Sequence, residues 1–211
     1  MAMIENAEPS TTRIRGRPRS FDRAEALERA MNLFWRQGFA ATSVAELTAA
    51  MGINPPSLYA AFGDKEHLFL EAVDHYQRKL SAEMATILAG APTAEEAVGR
   101  LLLAKAEKLA CPEHPSGCMV VTAAMNCSSD CGHLERVMAE RRAEMARRLQ
   151  ERIQLGIEAG ELPAHADAAQ LAAFYDTVMQ GMALQARDGV DHAGLAAIAR
   201  AAMRAWPSTD A

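Results

Sequence analysis

Residues 38–65 read GFAATSVAELTAAMGINPPSLYAAFGDK. Ser43 is a helix N-cap residue, and Glu46 three positions later completes a capping box, so a short helix opens there. Gly52 ends it, because glycine enters the left-handed backbone conformation without steric cost. Asn54 caps the next helix, and Pro55 stands at its first position, where a missing N–H loses no hydrogen bond. Gly63 closes that helix and Asp64 is placed to cap another. Two helices of about eight residues joined by Met51-Gly52-Ile53 have the spacing of a helix-turn-helix, spanning about residues 43–62.

The same reasoning extends outward. Upstream, Leu27, Ala30, Met31 and Phe34 form an i, i+3, i+4, i+7 stripe between a capping Asp22 and a stopping Gly38. Downstream, a long helix runs from Asp64 to about Leu88, and Gly90-Ala91-Pro92 breaks it. Thr93 with Glu96 predicts a second capping box, opening a helix to about Ala110. Cys111 to Gly117 holds two prolines and a glycine and reads as a loop. A short apolar helix is expected from about Cys118 to Cys127. A long one follows from about Gly132 to Ala159, laced by Glu144–Arg148 and Arg147–Glu151 pairs. Helices at about 167–187 and 191–206 finish the chain. The expectation is an all-α protein of about nine helices in three parts: a basic arm at 1–19, a helix-turn-helix domain at 20–80, and a larger helical domain at 81–211.

Charge divides along the same boundary. The 211 residues carry a formal net charge of −5. Residues 1–70 hold eight Lys/Arg and eight Asp/Glu, and the remaining fourteen against nineteen account for the whole deficit. Arg13, Arg15, Arg17 and Arg19 form a basic run without an intervening acid, suited either to phosphates or to a solvated tail. The longest uncharged run, Leu47 to Gly63, contains Gly52, Pro55 and Pro56 and falls short of the roughly eighteen apolar residues of a membrane span. No apolar leader precedes the basic run. A cytoplasmic protein with no membrane partner is expected.

The stretch Gly38 to Val44 through Gly52 to Lys65 resembles the N-terminal domain of TetR/AcrR-type transcriptional regulators. The resemblance covers roughly residues 20–80, including the Leu33-Phe34 end of the first helix and the Lys65-Glu66-x-Leu68 start of the fourth. It implies an all-helical homodimer, with a DNA-reading head on a variable effector domain, that binds a near-palindromic double-stranded operator and is released by a small-molecule effector. Carried over by position, Thr42 and Ser43 match residues that hold backbone phosphates, and Tyr59 and Lys65 match groups that grip phosphate. Ser57 lies where it reaches a base edge or a phosphate. Ser43 also suits a purely capping role and Tyr59 a packing role. Pro55, Ala60 and Ala61 depart from the basic, polar or aromatic residues common in relatives, which leaves the recognition helix short of donors for bases. Thymine-methyl contact and shape readout then gain weight. Arg17 and Arg19 of the arm are candidates for minor-groove contact.

The larger domain holds four cysteines, at 111, 118, 127 and 131, near His114 and His133. Their spacing fits no common zinc site. Three readings stand: small core residues, a thiol or electrophile sensor at Cys118 with Cys127, Cys131 or Cys111 as partner, or a soft metal site. The sensor reading places Cys118 at a helix N-terminus, where the macrodipole favours the thiolate. Gly117-Cys118-Met119-Val120-Val121 and Asn126-Cys127-Ser128 also resemble one effector-domain branch of the same family. An adaptable apolar pocket is expected around Cys118, Met119, Cys127, Phe174, Tyr175 and Met179, with Met125, Met145 and Met182 as further candidates. Low-charge stripes on the last two helices, through Leu171, Val178, Met182, Leu195, Ile198 and Met203, suggest a four-helix dimer interface.

No P-loop, G-x-G-x-x-G, H-E-x-x-H or G-x-S-x-G occurs, and Glu-x-x-His motifs are absent, so neither an enzyme nor a cofactor is expected. A redox-responsive repressor is the alternative function. A helical adaptor without DNA binding is a further one, although it has no use for the phosphate donors.

Overall fold

The computed structural model describes residues 21–123 and 132–208. Nine helices occur among them: α1 (Arg23–Gln37), α2 (Val44–Met51), α3 (Pro55–Phe62), α4 (Lys65–Gly90), α5 (Ala94–Leu109), α6 (Met119–Thr122), α7 (Gly132–Glu158), α8 (Ala168–Arg187) and α9 (His192–Met203). Side-chain caps set most starts. Asp22, Ser43, Asn54, Asp64, Thr93, Asp167 and Asp191 each accept a backbone N–H of the first turn.

Three boundaries differ from expectation. The box at Thr93 is only half formed: Thr93 accepts from the Glu96 N–H, while the Glu96 carboxylate accepts from Arg100 instead. Within the described residues α6 is a single turn, and its expected continuation to Cys127 lies outside them. Helix α9 stops at Met203 because the N–H groups of Arg204, Ala205 and Trp206 bond three residues back, tightening the end.

Helices α1–α3 and the start of α4 form the head. Its centre is an aromatic cluster: Phe34 meets Phe69 edge-on with centroids 5.1 Å apart, and Phe39 lies 5.1 Å from Phe69. Leu47, Leu58 and Leu68 complete it, all fully buried. Arg23 staples three elements together, donating to Glu71 on α4 and to the Ala61 carbonyl on α3, with its guanidinium 4.3 Å from the Phe62 ring.

The body is built around α5, which packs against α4, α7, α8 and α9. Gly156 lets α7 cross the start of α5, since a Cβ there would lie 2.6 Å from that of Ala94. Head and body are joined at α6. The Phe39 N–H donates to the Ala123 carbonyl at 2.8 Å. Gly38 has φ +81°, and a Cβ on it would sit 3.1 Å from that carbonyl oxygen, so both conformation and space call for glycine. Beside this joint Trp35 stacks on His114 and meets Tyr76 edge-on, and the Tyr76 hydroxyl donates to the Cys118 sulfur at 3.5 Å. Contacts between α4 and α7, a hydrogen bond between the His133 ring and Glu66 and an ion pair of Arg141 with Asp74, extend it.

Candidate nucleic-acid interface and effector cavity

Helix α3 is buried on one face only. Leu58 and Phe62 point into the head, while Asn54, Pro55, Pro56, Tyr59 and Ala60 are exposed. Its N-terminal end is thereby free to enter a groove. Gly52, at φ 69° and ψ 34°, turns the chain sharply between α2 and α3 and fixes that presentation. The capping box at Ser43 is complete: Ser43 Oγ accepts from the Glu46 N–H, and the Ser43 N–H donates to the Glu46 carboxylate at 2.8 Å. Hydrogen bonds from the Ser43 hydroxyl and N–H hold the Glu46 carboxyl below the usual carboxylate range.

The body contains two small adjoining voids of about 20 Å³ each, room for about one water molecule apiece, that share Lys105, Met145 and Met179. Cys118, Val120, Arg142, Asp176 and Gln180 line one of them. Burial holds the Asp176 carboxyl above its ordinary value, against a hydrogen bond from Gln180 and the nearby charges of Lys105 and Arg142.

Known proteins share both halves. Residues 26–72 match the model of bacterial regulatory proteins, tetR family, and residues 98–203 match that of the tetracyclin repressor-like C-terminal domain. The HTH-type transcriptional repressor ComR of Escherichia coli is 36% identical over 194 residues, 92% of each chain. The chain belongs to the TetR family. It is a DNA-binding transcriptional regulator. Another E. coli relative, the repressor BdcR, is 40% identical over 110 residues, 52% of this chain and 56% of its own. A solved structure of the TetR-family regulator CifR, with three cysteines substituted and in complex with 26 bp double-strand operator DNA, is 44% identical. It covers 91% of this chain and all of its own, with a TM-score of 0.89.

As a TetR-family head, the N-terminal domain presents its expected residues unevenly. Tyr59 is half exposed, at 51%, beside the exposed Ser43 and the half-buried Ser57. The Lys65 ammonium lies 4.3 Å from the Phe39 ring centroid at the start of α4. Thr42 departs from expectation. It is 1% exposed and its hydroxyl donates to the Gly38 carbonyl at 2.6 Å, which locks the α1–α2 turn and turns the hydroxyl inward. Arg17 and Arg19 lie outside the described residues.

In the C-terminal domain, among the described residues, Cys118 and Met179 of the expected pocket line the voids, together with Met145. Met119 is buried core. Tyr175 is also core, packed between Phe174 and Trp206, and burial raises its hydroxyl to about 12. Phe174 faces outward, 43% exposed. Cys127, Cys131 and Met125 lie outside the described residues. The sensor reading loses its basis at Cys118, which is 2% exposed and precedes a four-residue α6 too short to carry a useful macrodipole. Redox control is not the favoured mode of this TetR-family member. Of the expected dimer residues, Met182 and Leu195 are buried within the monomer, because α5 covers the inner faces of α8 and α9. Leu171, Val178, Ile198 and Met203 are half-buried at the edge of that core.

Sequence reasoning missed Lys105, Arg142, Asp176 and Gln180. A signal for two of them exists. Lys105 interrupts the apolar stripe Leu101-Leu102-Ala106-Leu109 on α5, and Asp176 sits one position from buried Tyr175 on α8.

Proposed function

We propose that this TetR-family regulator is a cytoplasmic homodimeric repressor, without catalytic activity, that a small-molecule effector releases from a near-palindromic operator. The observation that carries the DNA reading is the one-sided burial of α3 with its N-terminal end exposed. Two copies, related by a two-fold axis, place two such helices in successive major grooves. Tyr59, Ser57 and Ser43 supply hydroxyls around that end, and Lys65 supplies a cation at the first turn of α4. These groups suit phosphate positioning, while the exposed Pro55, Pro56 and Ala60 offer apolar contact in the groove. Arg17 and Arg19 add charge from the arm. The outward apolar strip of α8, Leu171, Phe174 and Val178, is the face on which the second copy docks. Among the described residues no helix is long and apolar enough to cross a membrane.

The test is fluorescence anisotropy on labelled DNA from the gene's own upstream region and from neighbouring promoters. Tyr59→Phe and Lys65→Ala are expected to weaken operator and unrelated DNA alike, with Lys65→Ala lowering the salt slope by roughly one unit. A loss confined to the operator contradicts phosphate contact, and no binding above that to random DNA contradicts the regulator reading.

A further inference from the structure

We propose that the effector is a small neutral ring compound carrying a carbonyl oxygen, held at the joint between head and body with its oxygen on the Trp35 indole N–H. This rests on the repressor reading and names the class and the seat of its effector. Met31 and Trp35 of α1, Tyr76 and Leu80 of α4, and His114 of the 111–117 loop form the apolar part of the wall of a cavity of about 140 Å³. An apolar cavity of about 150 Å³ takes up benzene in another protein. The voids beside Lys105, by contrast, hold about one water molecule each.

Trp35 calls for an acceptor. It is 4% exposed, and its indole N–H is buried with no hydrogen-bond partner among the described residues. An unmatched buried donor is costly, and an acceptor brought by a ligand removes that cost. The charged groups that border the cavity from α1, α4 and α5 are already matched: Glu28 accepts from Lys79, and Lys108 pairs with Glu83. The Tyr76 hydroxyl is committed to the Cys118 sulfur. Glu113, the remaining charge of the wall, is exposed. An anion meets Glu113 with no unpaired cation to offset it, and a protonated amine brings donors where the indole needs an acceptor. A neutral carbonyl compound meets both conditions.

The way the indole is covered connects this site to the head. The His114 ring stacks on it with centroids 4.8 Å apart, and the Tyr76 ring meets it edge-on at the same separation. An entering ring therefore displaces His114 from the indole and moves the 111–117 loop with it. That loop runs directly into Cys118 and α6, and the Ala123 carbonyl at the end of α6 accepts from the Phe39 N–H of the head. One wall of the cavity belongs to α1, so the occupant shifts the head's seat from both sides. Differential affinity for the two loop positions is the coupling free energy that effector and operator share.

The experiment is a proton–nitrogen correlation spectrum of the full chain without DNA, isotopically labelled at nitrogen. Trp35 and Trp206 are its two tryptophans, so the indole region holds two N–H signals, which Trp206→Phe assigns. The probes are acetophenone and, as a ring of like shape without an acceptor, ethylbenzene. Acetophenone is expected to move the Trp35 N–H signal downfield in a saturable titration, and ethylbenzene is not. In calorimetry Trp35→Phe, which keeps an aromatic wall and removes the donor, is expected to weaken acetophenone roughly tenfold relative to ethylbenzene. A residue needed only for packing moves both ligands together. A Trp35 signal that ignores acetophenone overturns the proposal, and so does a ketone-to-hydrocarbon ratio unchanged in Trp35→Phe. The spectrum of the unsubstituted chain decides the matter even where circular dichroism finds Trp35→Phe unfolded. Because DNA is absent, these outcomes are independent of whether the head binds an operator. Anisotropy on operator-bound protein then expects release by acetophenone; binding at Trp35 without release refutes the effector role.

Discussion

Phe34, Phe39 and Phe69 close the centre of the head ring against ring, whereas the centre of the body holds a buried lysine, a half-buried aspartate and two small voids. The head is small and must present α3 in one orientation, so packing and caps over-determine its geometry. The body is larger and tolerates buried charge and empty space next to α6, the element that touches the head. The difference teaches where information enters the molecule. A cap-fixed, ring-packed head holds register, while the charged and less tightly closed body beside α6 is where a change can begin.

The largest way to break this contrast is to cut the head core. Phe69→Ala is expected to cost about 3–5 kcal/mol, while Met179→Ala, which borders an existing void, is expected to cost about 2 kcal/mol. Thermal denaturation of the two variants checks the difference, and equal losses would remove the distinction between the halves. Next is the joint. Gly38→Val puts a β-branched residue at φ +81° and against the Ala123 carbonyl, with an expected cost of about 2 kcal/mol and a lower melting temperature. Operator affinity is expected to fall more than that stability loss alone accounts for, because the head loses its fixed seat. Ser43→Ala removes half of the capping box at the start of α2, for about 1 kcal/mol, measured by denaturant titration.

The smallest effect sharpens the comparison by its sign. Burial alone would raise the Glu28 carboxyl, but hydrogen bonds from Lys79 and His75 hold it below its ordinary 4.5. Its stabilisation of the α1–α4 contact is therefore present above pH 4.5 and lost as pH falls through the lower folded value. Asp176 behaves oppositely. Its folded value lies above the ordinary 3.8, so its penalty applies at neutral pH and is relieved as pH falls through that raised value toward 3.8. Melting temperature against pH is the measurement: Glu28→Gln is expected to shrink the acid-side loss by about 0.5 kcal/mol, given its partly exposed side chain. Asp176→Asn is expected to remove the mild-acid gain.

Much of the fold was legible because polar caps are local chemistry. Asp22, Ser43, Asn54 and Asp64 each specify a helix start by a bond within three residues, so the head followed from the string itself. The candidate site divided along the same line. The exposed position of Tyr59 on α3 follows from helix spacing, whereas the inward turn of Thr42 depends on the Gly38 carbonyl in a turn that sequence does not draw. In the body an apolar stripe states that a face is covered, not what covers it. Met182 and Leu195 were therefore assigned to a second copy, although α5 of the same chain buries them. Lys105 and Asp176 went unread because a charged residue within a helical stripe looks like its solvated edge until the neighbouring helices are in place.

The central claim is that α3, held in register by the surrounding phosphate-gripping hydroxyls, enters the grooves of a two-fold operator. Selection of the full-length protein against a random duplex DNA library tests it most directly. The account predicts enrichment of one near-palindrome whose half-sites lie about one helical turn apart, lost when α3 is disrupted by Tyr59→Pro. Failure to enrich any sequence, or an enriched site without two-fold symmetry, would contradict it.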